Sequence, residues 1–143
     1  MIDLIAFPLL SPLNHTETSE ANPEYNCIAW AAEDDSKYWW PDEDGDGYWP
    51  PGTTRAETIE AFVEAFQAIG YTLDPQGVPS LEAGVEKVAI FAQNNAPTHA
   101  ARQLPTGKWT SKMGPEEDIS HDWGAIDGPC YGTAVHILRR STR

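Results

Sequence analysis

Positive charge is scarce in this chain. Nine Lys and Arg residues stand against 22 Asp and Glu residues, and the net charge is −13 at pH 7. A field of this sign repels phosphate backbones, so we expect no nucleic-acid partner. The same charge suits a basic protein partner or a bound cation, and it also suits a protein whose acidity serves only its solubility.

Long apolar runs and cysteines are scarce too. No stretch approaches the roughly 20 apolar residues of a membrane helix. The N-terminus lacks the basic region, apolar region and cleavage site of a secretory signal. We therefore expect a soluble, cytoplasmic protein with no membrane partner. The two cysteines, Cys27 and Cys130, are too few for a disulfide framework. We expect both to be reduced, and a single bridge between them is the alternative.

The chain length of 143 residues predicts one domain over 1–143. Residues 1–21 predict an extended N-terminal arm, because Pro8 and Pro12 exclude a regular helix there. Residues 36–53 form an acidic segment with three tryptophans and several prolines and glycines. We interpret this segment as a loop that packs onto the domain through its aromatic side chains.

The first half of the chain predicts two helices. Asn26 is a favoured N-cap, so we expect a helix from about Cys27 to Glu33. A longer amphipathic helix is expected over 55–69, after a capping-box pattern at Thr54-Arg55-Ala56-Glu57. Its apolar residues recur at helical spacing: Ile59, Phe62, Val63, Phe66 and Ile69. Gly70 then supplies a stop.

The second half predicts an antiparallel sheet. We expect four strands, over 86–92, 98–104, 108–112 and 131–139. Pro105-Thr106-Gly107 fits a three-residue hairpin turn between the second and third strands. Residues 115–126 are expected to form a short helix or a loop. Helices followed by a sheet indicate the α+β class.

Cys27 is the candidate nucleophile. The first turn of a helix carries partial positive charge and free N–H groups, which favour a thiolate. The Cys27 backbone N–H and the Asn26 side chain are the expected oxyanion donors. The alternative role of Cys27 is that of a small buried apolar residue.

His99 is the candidate base, because it opens a strand and has small neighbours. A structural histidine is the alternative. The hairpin places Ser111 diagonally from His99 on the same face, where its hydroxyl could orient the imidazole. A shift of one residue would put Lys112 on that face instead. His121 or Asp118, from the next segment, could also reach the imidazole.

The chain resembles an uncharacterised family of small bacterial proteins. The resemblance covers most of 22–139 and rests on four segments: Asn26-Cys27-Ile28-Ala29-Trp30-Ala31, the Trp-rich loop, Thr98-His99-Ala100-Ala101-Arg102-Gln103-Leu104 and Gly107-Lys108-Trp109-Thr110-Ser111-Lys112. The order of Cys, His and polar strand is similar to compact papain-like families, such as the NlpC/P60 and CHAP amidase-peptidases. That similarity implies a papain-like fold with N-terminal helices packed on a C-terminal antiparallel sheet. It also implies a catalytic Cys27 and His99, with Ser111 as the third residue.

The acidic loop holds a second set of candidate ligands. Asp42, Asp44, Asp46 and Gly47 have the 1-3-5-6 spacing of a calcium-binding loop. Position 12 is Thr53 rather than the bidentate Glu of an EF-hand, so a looser calcium site is the interpretation. A solvated acidic turn is the alternative.

Two functions follow from these residues. The first is a thiol hydrolase that cleaves an amide, peptide or ester bond and requires no cofactor. Its substrate would be a peptide or protein. The second is a non-catalytic acidic binding or immunity-type protein that caps a basic protein partner, with Cys27 and His99 in structural roles.

Overall fold

The computed structural model describes residues 4–142. Within this range the chain forms one seven-stranded antiparallel sheet and two short helices. The strands are β1 (His15–Glu17), β2 (Thr72–Leu73), β3 (Val85–Gln93), β4 (Ala96–Gln103), β5 (Trp109–Lys112), β6 (Asp118–His121) and β7 (Thr133–Ser141). The helices are α1 (Cys27–Ala31) and α2 (Ile59–Gln67). The strand order is β1-β6-β5-β4-β3-β7-β2.

The predicted α+β, papain-like layout of helices packed on a sheet is wrong, because the sheet dominates the chain and the helices are short. α1 ends after five residues, and Glu33 just beyond it has a φ of 64°, which a continuing helix cannot contain. α2 begins after Thr58, whose hydroxyl accepts the Ala61 N–H. The capping box expected at Thr54 does not form, since its backbone N–H is bonded by Glu64 instead. Among residues 4–142, no helix has the length and apolar character needed to cross a membrane.

β3, β4, β5 and β7 lie close to the positions that the sequence predicts. The hairpin between β4 and β5 also has the predicted pairing, with the Leu104 N–H bonded to the Lys108 carbonyl at 2.7 Å. β6 is not predicted, because the sequence of residues 115–126 indicates a short helix or a loop. The N-terminal arm adds β1 to the edge of β6, while residues 1–3 of that arm lie outside the described range.

Each face of the sheet carries its own core. One face is covered by α1, α2 and the Trp-rich loop, and its largest buried side chains include those of Trp39, Trp49, Phe62 and Phe66. The other face is covered by the N-terminal arm and by residues 122–132. Its buried side chains include Phe7, Phe91, Trp109, Ile119, Ile126 and Tyr131. Since Trp39 and Trp49 are buried, the Trp-rich loop does pack onto the domain.

The aromatic stripe of α2 gives a direct test of the first core. Phe62 and Phe66 are fully buried, so replacing either with Ala removes buried carbon and leaves a cavity. We expect each variant to lose about 3–5 kcal/mol of unfolding free energy in urea titrations. Gln67→Ala, at an exposed position of the same helix, should change it by less than about 0.5 kcal/mol. A loss below about 1 kcal/mol for either Phe variant would contradict the packing.

Candidate active site

The candidate site lies where β4 and β5 separate. Their ladder pairs only Arg102 with Thr110 and Gln103 with Trp109, although β4 begins at Ala96 and β5 continues to Lys112. α1 packs against both strands at this opening. There the backbone N–H of Ala100 donates to the sulfur of Cys27. The thiol therefore takes the place of a carbonyl that β5 would otherwise supply.

Asn26 fixes the start of α1. Its side-chain oxygen accepts the Ala29 N–H at 3.3 Å and the Trp39 N–H at 3.0 Å. Its side-chain nitrogen donates to the Trp39 carbonyl at 2.7 Å. The predicted N-cap is confirmed. These contacts join the helix to the Trp-rich loop and give no support to the oxyanion role that the sequence suggested for Asn26.

The Cys27 thiol is neutral at rest. Its side chain is buried, and burial raises its pKa to about 11. The backbone N–H groups of Ala100, Ile28 and Cys27 act in the opposite direction, as does the nearby Lys112, and they do not overcome the burial. Cys130 is exposed, and the two cysteines are not joined in a disulfide.

His99 lies in β4 and is fully buried. Its Nε2 atom lies 2.9 Å from the Ser111 hydroxyl oxygen, which is the contact that the hairpin register predicts. Its Nδ1 atom is buried without a hydrogen-bond partner in the described structure. The Tyr131 ring stacks on the imidazole at 4.0 Å between centroids and 12° between planes. Burial, with a smaller contribution from His121, holds the pKa of His99 well below its usual 6.5.

His121 extends this arrangement. Its Nε2 atom lies 2.7 Å from the Ser111 hydroxyl oxygen, and its Nδ1 atom lies 3.0 Å from the carbonyl oxygen of Asp122. Burial lowers the pKa of His121 to about 4. Ser111 thus bridges two buried imidazoles. Because β6 was not predicted, the sequence could name His121 only as one alternative among several.

The structure does not bring all the predicted residues together. Cys27 belongs to the core beneath α1, whereas His99 packs on Phe91 and Tyr131 of the other core. Neither ring nitrogen of His99 hydrogen-bonds the sulfur, because Nε2 bonds Ser111 and Nδ1 has no partner. The two groups meet through the backbone, since the N–H that holds the sulfur belongs to the residue after His99.

Two alternatives for the third residue lie elsewhere. Asp118 accepts a hydrogen bond from the Tyr25 hydroxyl at 2.6 Å, away from His99. The Lys112 amine donates to the carbonyls of Gly114 and Glu116 and lies over the Tyr25 ring. Of the candidates, Ser111 contacts His99 directly and His121 contacts it through Ser111.

Of the predicted calcium ligands, Asp42 is hydrogen-bonded within the loop. The two carboxylate oxygens of Asp42 accept the N–H groups of Gly47 and Asp46 at 2.8 and 2.9 Å, and these bonds lower its pKa. The Arg55 guanidinium also bonds Asp42, at 2.9 Å. Asp44 and Asp46 are exposed. Among residues 4–142, no group of three or more His, Cys, Asp or Glu side chains could hold a metal ion.

Fold and site together define a class: a predominantly antiparallel β protein with a buried thiol and a buried His–Ser–His chain at one opening of its sheet. The sequence profile of a domain of unknown function, DUF7689, matches residues 16–139, and the chain belongs to this family. A search of curated proteins and a search of solved structures gave no match.

The buried imidazoles predict loss of stability in mild acid. A histidine whose pKa is lower in the folded state than in the unfolded chain favours folding above about pH 6.5. That contribution is lost as the pH falls from 6.5 toward 4, and for His121 alone it corresponds to about 3 kcal/mol. Urea titrations at pH 7 and pH 5 should show the loss, and His121→Gln should reduce it. His136→Gln, at an exposed position, should leave it unchanged. Equal stability at both pH values would contradict the buried neutral histidines.

The acidic turn gives a second test. Since the Arg55 guanidinium and two backbone N–H groups already bond Asp42, we expect millimolar calcium to leave the melting temperature of metal-free protein unchanged. The tryptophan fluorescence should not change either. A rise in melting temperature that EDTA reverses, and that Asp44→Asn weakens, would instead establish the calcium site predicted from the sequence.

Proposed function

We propose that this protein is a thiol-dependent acyl hydrolase, with Cys27 as the nucleophile and His99 as the base. The observation that carries the proposal is that the two ring nitrogens of His99 have different surroundings. Nε2 lies 2.9 Å from the Ser111 hydroxyl oxygen, while Nδ1 is buried and has no hydrogen-bond partner among residues 4–142. A buried polar atom without a hydrogen-bond partner destabilises the folded protein, so its presence indicates a role. A base needs such an atom to accept a proton.

The thiol is held at the strand that carries this base. Its sulfur accepts the Ala100 N–H, so its position is tied to the strand that carries His99. The first N–H groups of α1, from Cys27 and Ile28, also point at the sulfur. The same donors would face the oxygen of a carbonyl attacked by that sulfur, which is the requirement for an oxyanion site.

The pKa values of Cys27 and His99 determine the protonation states from which the proposed reaction starts. Burial raises the pKa of Cys27 to about 11 and lowers that of His99 well below 6.5, so both groups are neutral at rest. In the proposed reaction Cys27 therefore attacks as a thiol: the S–C bond forms while the thiol proton moves to Nδ1 of His99, which does not hydrogen-bond the sulfur in the resting structure and must reach it when substrate binds. His99 returns that proton to the leaving amine or alcohol, and water then cleaves the thioester, giving its proton to His99. The freed thiol recovers the proton.

Access to the site depends on Tyr131. Its ring covers the imidazole of His99, and its carbonyl accepts a hydrogen bond from the Thr98 hydroxyl. The loop that carries it closes with two hydrogen bonds between Gly128 and Gly132. The proposed reaction therefore requires that Tyr131 move when substrate binds.

One observation favours a second function, the binding of a basic protein. Among residues 4–142, seven of the eight Lys and Arg residues form ion pairs within the chain. Lys112 is buried against backbone carbonyls. The excess negative charge is thus presented to solvent with few positive charges left to offset it, and it would attract a basic partner.

The reaction of Cys27 with an activated ester separates the two functions. In a Cys130→Ser background, we expect p-nitrophenyl acetate to acylate Cys27, with the thioester located by mass spectrometry. His99→Gln should slow acylation by a factor on the order of 10² because it removes the base. Tyr131→Ala should speed it by opening the site.

His136→Gln supplies the matched control, since that histidine is exposed on β7, and it should leave the rate unchanged. If Cys27 stays unmodified even in Tyr131→Ala, or if His99→Gln reacts as fast as its parent, the hydrolase proposal fails and the binding function takes precedence.

A further inference from the structure

We infer that His121 is a positioning residue: acting through Ser111, it fixes the His99 tautomer with hydrogen on Nε2 and leaves Nδ1 as a bare lone pair. Only the catalytic purpose of this arrangement rests on the proposed function. The hydrogen-bond chain itself stands on the geometry of His99, Ser111, His121 and the Asp122 carbonyl.

The direction of the chain is set at its far end. The Asp122 carbonyl oxygen lies 3.0 Å from Nδ1 of His121, and a carbonyl can only accept a hydrogen bond. Nδ1 of His121 therefore carries the hydrogen. His121 is buried and neutral above about pH 4, so its Nε2 atom has no hydrogen and must accept.

The next two bonds follow in turn. A serine hydroxyl has one hydrogen, and the Ser111 oxygen lies 2.7 Å from Nε2 of His121, so that hydrogen is donated there. The same oxygen lies 2.9 Å from Nε2 of His99 and can then only accept from it. Nε2 of His99 therefore carries the hydrogen, and in a neutral ring Nδ1 has none.

This order explains the unpartnered Nδ1 atom. A lone acceptor in a dry site can remain without a partner at less cost than a lone N–H, because no donor hydrogen is stranded. If Ser111 donated to His99 instead, the hydrogen of His99 would lie on Nδ1 and the ring could not accept a proton from Cys27. His121 prevents that arrangement because it accepts the only hydrogen that the Ser111 hydroxyl can donate.

Nitrogen-15 NMR of histidine-labelled protein tests the inference directly. A protonated and an unprotonated ring nitrogen have widely separated chemical shifts, and couplings to the ring hydrogens tell Nδ1 from Nε2. In the wild-type protein at pH 7 we expect His99 to have a protonated Nε2 and an unprotonated Nδ1. The opposite assignment would overturn the inference, whatever the protein does in an activity assay.

Variants of His121 separate positioning from packing. His121→Leu removes the acceptor, so Ser111 can donate either way and the two nitrogen shifts of His99 should move toward each other. His121→Gln keeps a side-chain oxygen that can accept from Ser111 and should hold them apart. Unchanged His99 shifts in His121→Leu would overturn the positioning role. His136→Gln is the control and should move neither signal.

The two proposals fail separately. Should His99 show the expected tautomer while Cys27 resists acylation, the hydrogen-bond chain stands and the hydrolase function falls. If both hold, His121→Leu should slow acylation of Cys27, and His121→Gln should restore most of the rate.

Discussion

The N–H of Ala100 is the point on which the architecture of the site depends. Beyond Thr110, β5 no longer pairs with β4, and a buried backbone N–H left without an acceptor would destabilise the sheet. The sulfur of Cys27 meets that need. Sulfur is a weak acceptor, so the bond holds only because α1 packs against both strands and Asn26 fixes its first turn. Helix start, strand separation and thiol position thus form one arrangement.

Alternation along β6 keeps the Asp118 carboxylate away from the imidazoles. Successive side chains of a strand point to opposite faces, so Asp118 lies on the face of Tyr25 and Lys112, while His121 lies with Ser111 on the other. Although the net charge is −13, no carboxylate among residues 4–142 raises the pKa of His99. His99 therefore stays neutral, and the Asp122 charge does not overcome the lowering of the His121 pKa by burial, so the two histidines interact through hydrogen bonds.

Local patterns made part of this structure predictable. The cap at Asn26 and the turn before Lys108 depend on residues close in sequence, and from that turn the approach of Ser111 to His99 follows by counting. The role of His121 could not be found in this way. β6 has only four residues, and it is held by pairing with β5 and with the distant β1, which no local periodicity encodes.

The prediction of the fold class was wrong for a related reason, because it rested on helices longer than α1 and α2. The apolar stripe at 55–69 predicted the buried face of α2 but not its start, which is set by the Thr58 hydroxyl bond to Ala61. The sequence also could not show that Cys27 and His99 lie on opposite faces of the sheet, because it does not show on which side of a sheet a helix packs.

Asn26 both caps α1 and bonds the Trp39 backbone, and these two roles restrict which residues can replace it. Asp, Ser and Thr cap helices as well as Asn in general. Here, however, the side chain must accept two N–H groups and also donate to the Trp39 carbonyl. Asp would direct a second acceptor at that carbonyl, and Ser or Thr would offer one oxygen where two atoms are needed. Asn is therefore the one of these four capping residues whose side chain can make all three bonds that join the Trp-rich loop to the thiol helix.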